Sequence, residues 1–255
     1  MHRALVECML TLLSVGAPSA SPAAEPVSQL VARLDALHPR RDDAAALNEA
    51  HRLVATALTV APSDYRVLWR AARVRFTESD QPSRSEGERS QLGKEAYDLA
   101  ERAIAVNPND VAGYYWAALG IGSYAEDMGA LRALANGIEG KFKRPLERAT
   151  ALDVTYDHGN VPVIWAAYYL ELPWPKRDRA KAALELRKAL EINPANLRAR
   201  LYQARIAIDE GRPADAWPLL RAIAAADVGR YDAPEERRVK QEAAKMATTL
   251  ETTSR

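Results

Sequence analysis

Asp157-His158-Gly159-Asn160 is the stretch of this chain whose residue types come nearest to chemistry. An imidazole beside a carboxylate and an amide is the raw material of a general base or a metal ligand. Spacing argues against both roles. The other histidines, His2, His38 and His51, lie far off in sequence with no ligand spacing, so His158 is expected to pack and cap within a loop. The acid pairs Glu126-Asp127 and Glu235-Glu236 fall on helical stretches, where solvated faces are the usual explanation. Lys141-Phe142-Lys143-Arg144 and Lys176-Arg177-Asp178-Arg179 are too short and too mixed in sign to hold phosphate or an anionic membrane. There is no glycine-rich phosphate loop, no nucleophile elbow and no HExxH. No catalytic residue, metal or cofactor is therefore assigned, and the chain is not expected to be an enzyme.

Aromatic residues pose the sharper functional question. Trp69, Tyr114, Tyr115, Trp116, Trp165, Tyr168, Tyr169 and Tyr202 cluster on what read as the first helices of successive pairs. Neighbouring residues on a helix point about 100° apart, so Tyr115 and Trp116 cannot share one seam, nor can Tyr168 and Tyr169. Either these rings fill gaps between alanine-rich helices or some of them line a ligand groove. The candidate groove consists of Trp69, Tyr115, Trp116, Trp165, Tyr169 and Trp174. Trp174 is placed at the rim, because Leu172-Pro173-Trp174-Pro175 is stiffened by two prolines. Its other role would be packing over the end of the next helix.

The elements that must carry these rings announce themselves by repetition. An alanine followed five residues later by a helix stop occurs as Ala57 to Pro62, Ala103 to Pro108, Ala149 to Val154 and Ala189 to Pro194, at intervals of 46, 46 and 40 residues. Three copies continue with a small polar residue able to cap the next helix, at Ser63-Asp64, Asn109-Asp110 and Asn196. A helix-turn-helix unit of this kind buries its apolar face only by stacking on copies of itself, which yields an α-solenoid with a concave binding surface. The expected fold is all-α, a right-handed α-α superhelix of about five helix pairs plus a C-terminal capping helix.

Helical periodicity and caps place helices at about 26–37, 43–60, 64–78, 88–106 and 110–124, and one at about 130–152 that Gly137 and Gly140 could kink. Further helices follow Asn160 to Leu170, then Arg179–Ile192, Leu197–Asp209 and Pro213–Ala226. A last one, Pro234–Leu250, is rich in charge and would cap the open end of the stack. The breaker-rich stretch from Ser79 to Gly87 is an exposed loop.

Composition fits a folded domain: 48% of the 255 residues are hydrophobic and 27% charged, too apolar for disorder. The net charge of +1 provides no global field for nucleic acid. The single cysteine, Cys8, leaves the remainder without a disulfide or thiolate metal site. Residues 1–24 resemble a signal peptide, with a short basic start, an apolar run from Ala4 to Gly16 interrupted by Glu7, and small residues from Ala17 to Ala24. That run is too short for a permanent span, so no stable membrane insertion is expected. Residues 25–255 are expected to form the repeat domain. Export to the periplasm or beyond follows from the leader, with a cytoplasmic location if the start is mis-assigned.

The glycine and alanine spacing of Gly211-Arg212-Pro213-Ala214-Asp215-Ala216, with Ala182, Leu186, Ala189 and Pro194, resembles the tetratricopeptide repeat. Asp157-His158-Gly159, Trp165, Tyr168-Tyr169 and Leu172-Pro173-Trp174-Pro175 are similar to the T component of TRAP-type transporters. Ala103-Ile104-Ala105-Val106-Asn107-Pro108-Asn109 with Tyr115-Trp116-Ala117 resembles the helical region of the regulator of microtubule dynamics family. Neither resemblance supplies a catalytic motif.

Three readings of function follow. One is an exported adaptor that holds a segment of a protein partner in the aromatic groove. A second is a small-molecule-binding accessory of a transport system, as the T-component resemblance implies. The third is an intracellular assembly or structural factor, as the microtubule-regulator resemblance implies.

Overall fold

The computed structural model describes residues 25–126 and 128–253, so the leader at 1–24 and Asp127 of the acid pair lie outside the described residues. Among these, α1 (Val27–Leu37) runs into a 3₁₀ turn at His38–Arg40, where Pro39 stops it. There follow α2 (Ala44–Val60), α3 (Tyr65–Ser79), α4 (Glu86–Val106), α5 (Val111–Glu126), α6 (Ala130–Ala135) and α7 (Ile138–Leu152). The chain continues through α8 (Tyr156–Glu171), α9 (Arg179–Ile192), α10 (Leu197–Asp209), α11 (Pro213–Ala225) and α12 (Ala233–Thr253). No strand occurs among the described residues, and no helix there is long and apolar enough to cross a membrane.

The recurring alanine has a backbone explanation. The carbonyls of Ala57, Ala103, Ala149 and Ala189 each accept the last hydrogen bond of their helix, from Ala61, Asn107, Asp153 and Asn193 respectively, at 2.8–2.9 Å. All four alanines are fully buried, where a larger side chain would hold neighbouring helices apart. In three of the four copies, all but the one ending at Ala61, the turn beyond is set by the side chain at that final donor. Asn107 Oδ1 accepts from Asn109 N, Asp153 Oδ1 from Thr155 N and Asn193 Oδ1 from Ala195 N. This Asx turn replaces the proline's role, so Val154 can stand where the other copies have one.

Capping starts the next helix. Asp43 accepts from Ala45 N, Asp64 from Arg66 N, Asp178 from Lys181 N and Asn196 from Ala199 N, while Ser85 and Glu88 form a reciprocal capping box at the head of α4. That box moves the start of α4 two residues ahead of Glu88, where periodicity alone would put it.

Packing pairs α1 with α2, α3 with α4, α5 with α7, α8 with α9 and α10 with α11, giving a tetratricopeptide-like α-α superhelix. One apolar core spans α1 to α5 and reaches α7 and α8, a second joins α8, α9 and α10, and a third holds α10, α11 and α12.

Two expectations are corrected. The single helix expected over 130–152 is two, because Gly137 adopts the left-handed conformation at φ 70°, which costs an L side chain but not glycine. Gly140 lies within α7 and does not break it. The last helix does more than cap the open end. It packs on α10 and α11 through Val239, Ala243 and Leu250, and its N-terminal half reaches back to the opposite end of the superhelix. There Asp232 meets Arg41 at 2.5 Å, Arg237 meets Asp42 at 2.7 Å, and Arg238 pairs with Asp80.

Candidate functional site

Because α12 crosses the concave side, the groove becomes a partly enclosed cavity of about 1070 Å³. Its apolar wall comes from the inner helices α3, α5, α7 and α8, through Phe76, Trp116, Leu119, Phe142, Ile164 and Tyr168. Its opposite side is ionic. Arg198 of α10 binds Glu235 at 2.7 Å and Glu242 at 2.5 Å, and Arg238 bridges Glu235 to Asp80. Burial alone would raise Glu235, but the Arg198 and Arg238 guanidiniums overcome it and hold this carboxyl down at about 2. Burial wins at Asp80, whose carboxyl is raised above its ordinary value despite Arg238.

A polar ladder joins the two sides. The Tyr115 hydroxyl donates to Asp157 Oδ2 at 2.5 Å, and Asn160 Nδ2 donates to the same oxygen at 3.0 Å. Asn196 Nδ2 donates to Asn160 Oδ1 at 3.0 Å, while Asn196 Oδ1 caps α10. The ladder therefore links α5, α8 and α10 by side chains alone. Burial and the neighbouring carboxylate hold the Tyr115 phenol well above its usual range, so it remains a donor.

Asp157, His158 and Gly159 all occupy the left-handed region, at φ 52°, 60° and 81°. For two non-glycine residues this costs on the order of 1–3 kcal/mol each, and it persists because the surroundings fix it. Asn193 Nδ2 binds the His158 carbonyl, Gly159 N binds Thr155 O, and a Cβ on Gly159 would meet Ile192 Cγ2 at 2.9 Å. Regular helix begins only beyond this turn, with Pro162 in its first turn as the sequence suggests. The His158 ring is exposed and rests 5.5 Å from Tyr231. No group of histidine, cysteine and carboxylate side chains among the described residues has metal-binding geometry.

The six groove candidates separate by face. Against the expectation that they cannot share one seam, Tyr115 and Trp116 both line the cavity and belong to one core, because their long side chains converge edge to face at 5.0 Å. Tyr115 is also edge-on to Tyr156 at 5.0 Å. Trp69 lies outside it, beneath the guanidiniums of Arg70 and Arg73 at 4.0 and 5.0 Å. Trp165 turns toward α7, donating from Nε1 to Thr150 Oγ1 at 2.9 Å, and Tyr169 stacks on it at 5.9 Å with Lys181 above. The ring that α8 offers the cavity is Tyr168, held by its hydroxyl on Glu139, and α10 offers Tyr202. Trp174 neither lines the cavity nor packs on a neighbour, being 88% exposed.

Sequence reasoning missed the ionic side. Glu235 and Glu236 are not a solvated face: Glu235 joins the Arg198 cluster, and Glu236 is buried, accepting from Gly229 N and Tyr231 N. Their partners lie in distant segments, so no local spacing reports them.

Residues 30–185 match the family described as Regulator of microtubule dynamics protein 1-3. Over 120 residues the chain is 32% identical to Regulator of microtubule dynamics protein 1 of Bos taurus and 31% identical to that of Mus musculus. That stretch is 46% of this chain and 37% and 38% of those proteins, so the chain spans little more than a third of the relatives it matches. Among solved structures, a thermophilic tetratricopeptide-repeat protein of Thermus thermophilus shares the fold, with a TM-score of 0.58 at 19% identity over 86% of this chain and 96% of that one.

Proposed function

The chain belongs to the regulator of microtubule dynamics protein 1-3 family, and on that premise we propose that it is a non-enzymatic scaffold that holds a segment of a partner protein in the cavity beneath α12. One observation carries this reading: the inner faces of α3, α5, α7 and α8 form an apolar wall opposite an ionic side supplied by α10 and α12. Such a mixture of anchor pockets and orienting charges suits a protein segment. The relatives' name ties them to microtubule dynamics, an intracellular process, which favours an assembly or structural factor over an exported adaptor.

A photo-crosslinking amino acid placed at Leu119, on the cavity wall, tests this in the protein's own host. The expected result is a discrete crosslinked protein at Leu119 and none from the exposed convex position Leu184. Equal patterns from both sites would remove the cavity from consideration. A volume of about 1070 Å³ also accommodates a small molecule, as the transport-accessory reading requires. Native mass spectrometry of the purified protein separates the two, because a retained small molecule adds a defined mass.

A further inference from the structure

We infer that the partner segment is positively charged with apolar flanks, and that Asp157 is the carboxylate that receives its cation. This deepens the scaffold reading proposed above and rests on it. The apolar wall of Phe76, Leu119 and Phe142, only partly buried, provides anchor surface but does not choose a partner; charge does.

The residues lining the cavity include nine carboxylates against four arginines and no lysine, in a chain whose net charge is +1. Lys176 and Arg205, outside the lining, pair with Glu139 and Glu171, so six cations face the nine carboxylates and a smaller acidic surplus is local to this surface. Every one of the four guanidiniums is already engaged: Arg41 with Asp232, Arg198 with Glu235 and Glu242, Arg237 with Asp42, and Arg238 with Asp80. An anionic segment would meet Asp157, which has no cationic partner, and find no unpaired arginine on the lining to take it up.

Asp157 is the carboxylate best placed to act. Its two hydrogen bonds, from the Tyr115 hydroxyl and Asn160 Nδ2, come from neutral donors and converge on one oxygen, Oδ2. No lysine or arginine lies within ion-pair distance of it among the described residues, unlike Glu139 with Lys176 and Glu171 with Arg205. Its orientation is fixed by the ladder, so a cation binding there requires no rearrangement. It adjoins the apolar wall through Tyr115, whose ring lies 5.0 Å from Trp116. A neutral segment covering Asp157 would strip its water and return nothing. An arginine or lysine replaces that water with a charge-assisted bond in a poorly screened site.

Fluorescence anisotropy on the full chain can test this with three labelled twelve-residue peptides: one of Leu, Ala and Lys, one with Glu for Lys, and one with Ser for Leu. The first should bind at least about tenfold more tightly than either of the others, a preference that narrows as salt rises. Asp157→Asn should weaken it about fivefold or more without changing the thermal unfolding midpoint. Because Asp157 also holds the ladder, Glu171→Arg is the second variant: its side chain is 63% exposed, so loss of its solvent-screened pair with Arg205 should cost little stability, and it should weaken the same peptide severalfold. Equal binding of the Glu peptide, or unchanged affinity in both folded variants, overturns the charge inference. Failure of the Lys peptide to bind overturns it too, and leaves the scaffold reading standing if Leu119 still crosslinks a partner. Loss of that crosslink as well would bring down both.

Discussion

Gly93 of α4 and Gly120 of α5 meet backbone to backbone. A Cβ built on Gly93 would lie 2.6 Å from Tyr124 N and 3.0 Å from the Gly120 carbonyl, and one on Gly120 would lie 2.6 Å from Tyr97 N and 3.0 Å from the Gly93 carbonyl. No flexible side chain stands between that can yield, so the two helices must separate to admit a methyl group. We expect Gly93→Ala or Gly120→Ala to cost about 1–3 kcal/mol in urea titrations through overpacking. Gly87→Ala, where nothing lies within 4 Å, should be neutral or stabilising. Equal stability of all three variants would show that the α4–α5 contact is looser than described.

The repeated alanines make a parallel case. Ala103 and Ala189 are fully buried at equivalent turns of α4 and α9. Leucine at either should overpack the stack by about 1–3 kcal/mol, read as a lower urea midpoint. A wild-type midpoint in both variants would mean that the buried face is misassigned.

Acid lability should have an identifiable source in His38. Burial, then the nearby Arg73 and Arg41, push its imidazole down to about 2 from an unfolded value near 6.5. The unfolded chain therefore binds a proton that the folded chain refuses, and stability present above pH 6.5 is lost as pH falls toward 2. Glu235, held at about 2, loses stability in the same direction below its own unfolded value. At pH 5 the histidine contributes a loss of about 2 kcal/mol relative to pH 7. His38→Phe should flatten the stability profile between pH 7 and 5; an unchanged profile would place the lability elsewhere.

The strap formed by α12 should depend unequally on its ion pairs. Arg41 and Asp232 are 18% and 14% exposed, whereas Arg237 and Asp42 are 45% and 41% exposed. Solvent screens the second pair, so Arg237→Met should change stability by about 0–1 kcal/mol. Arg41→Met strands a partly buried carboxylate and should cost about 1–3 kcal/mol. The comparison is a pair of denaturant melts, and equal losses would contradict the difference in exposure.

The repeat is legible because its signals are local. The alanine that closes a helix and the side chain that caps the next sit within seven residues of each other, and α9 and α10 fall where caps and periodicity put them. The Asx residues Asn107, Asp153 and Asn193 are equally visible and explain Val154, although the prolines beside them carry the louder signal. What is not legible is long-range. Arg41 and Asp232 are 191 residues apart, and no period connects them. Nor does hydropathy reveal which of Trp165, Tyr168 and Tyr169 faces inward, because α8 packs against helices on both sides and each ring finds apolar company.

Truncating the aromatics should sort them by face. Trp116 is 6% exposed and shares the core with Phe76 and Tyr115, so Trp116→Ala should cost about 3–5 kcal/mol. Trp165 fills the space against Thr150 and Tyr169 and should also be costly to remove, with no selective effect on a cavity-bound segment. Trp174 makes no such contacts, and Trp174→Ala should leave the melting temperature unchanged. Leu119 and Phe142 are only partly buried on the cavity wall, so their alanine variants should weaken partner capture more than they lower stability. Thermal melts paired with crosslinking yield would show the pattern. If Leu119→Ala and Phe142→Ala unfold the protein as readily as Trp116→Ala, those side chains are core rather than groove, and the wall assigned to the partner is part of the packing.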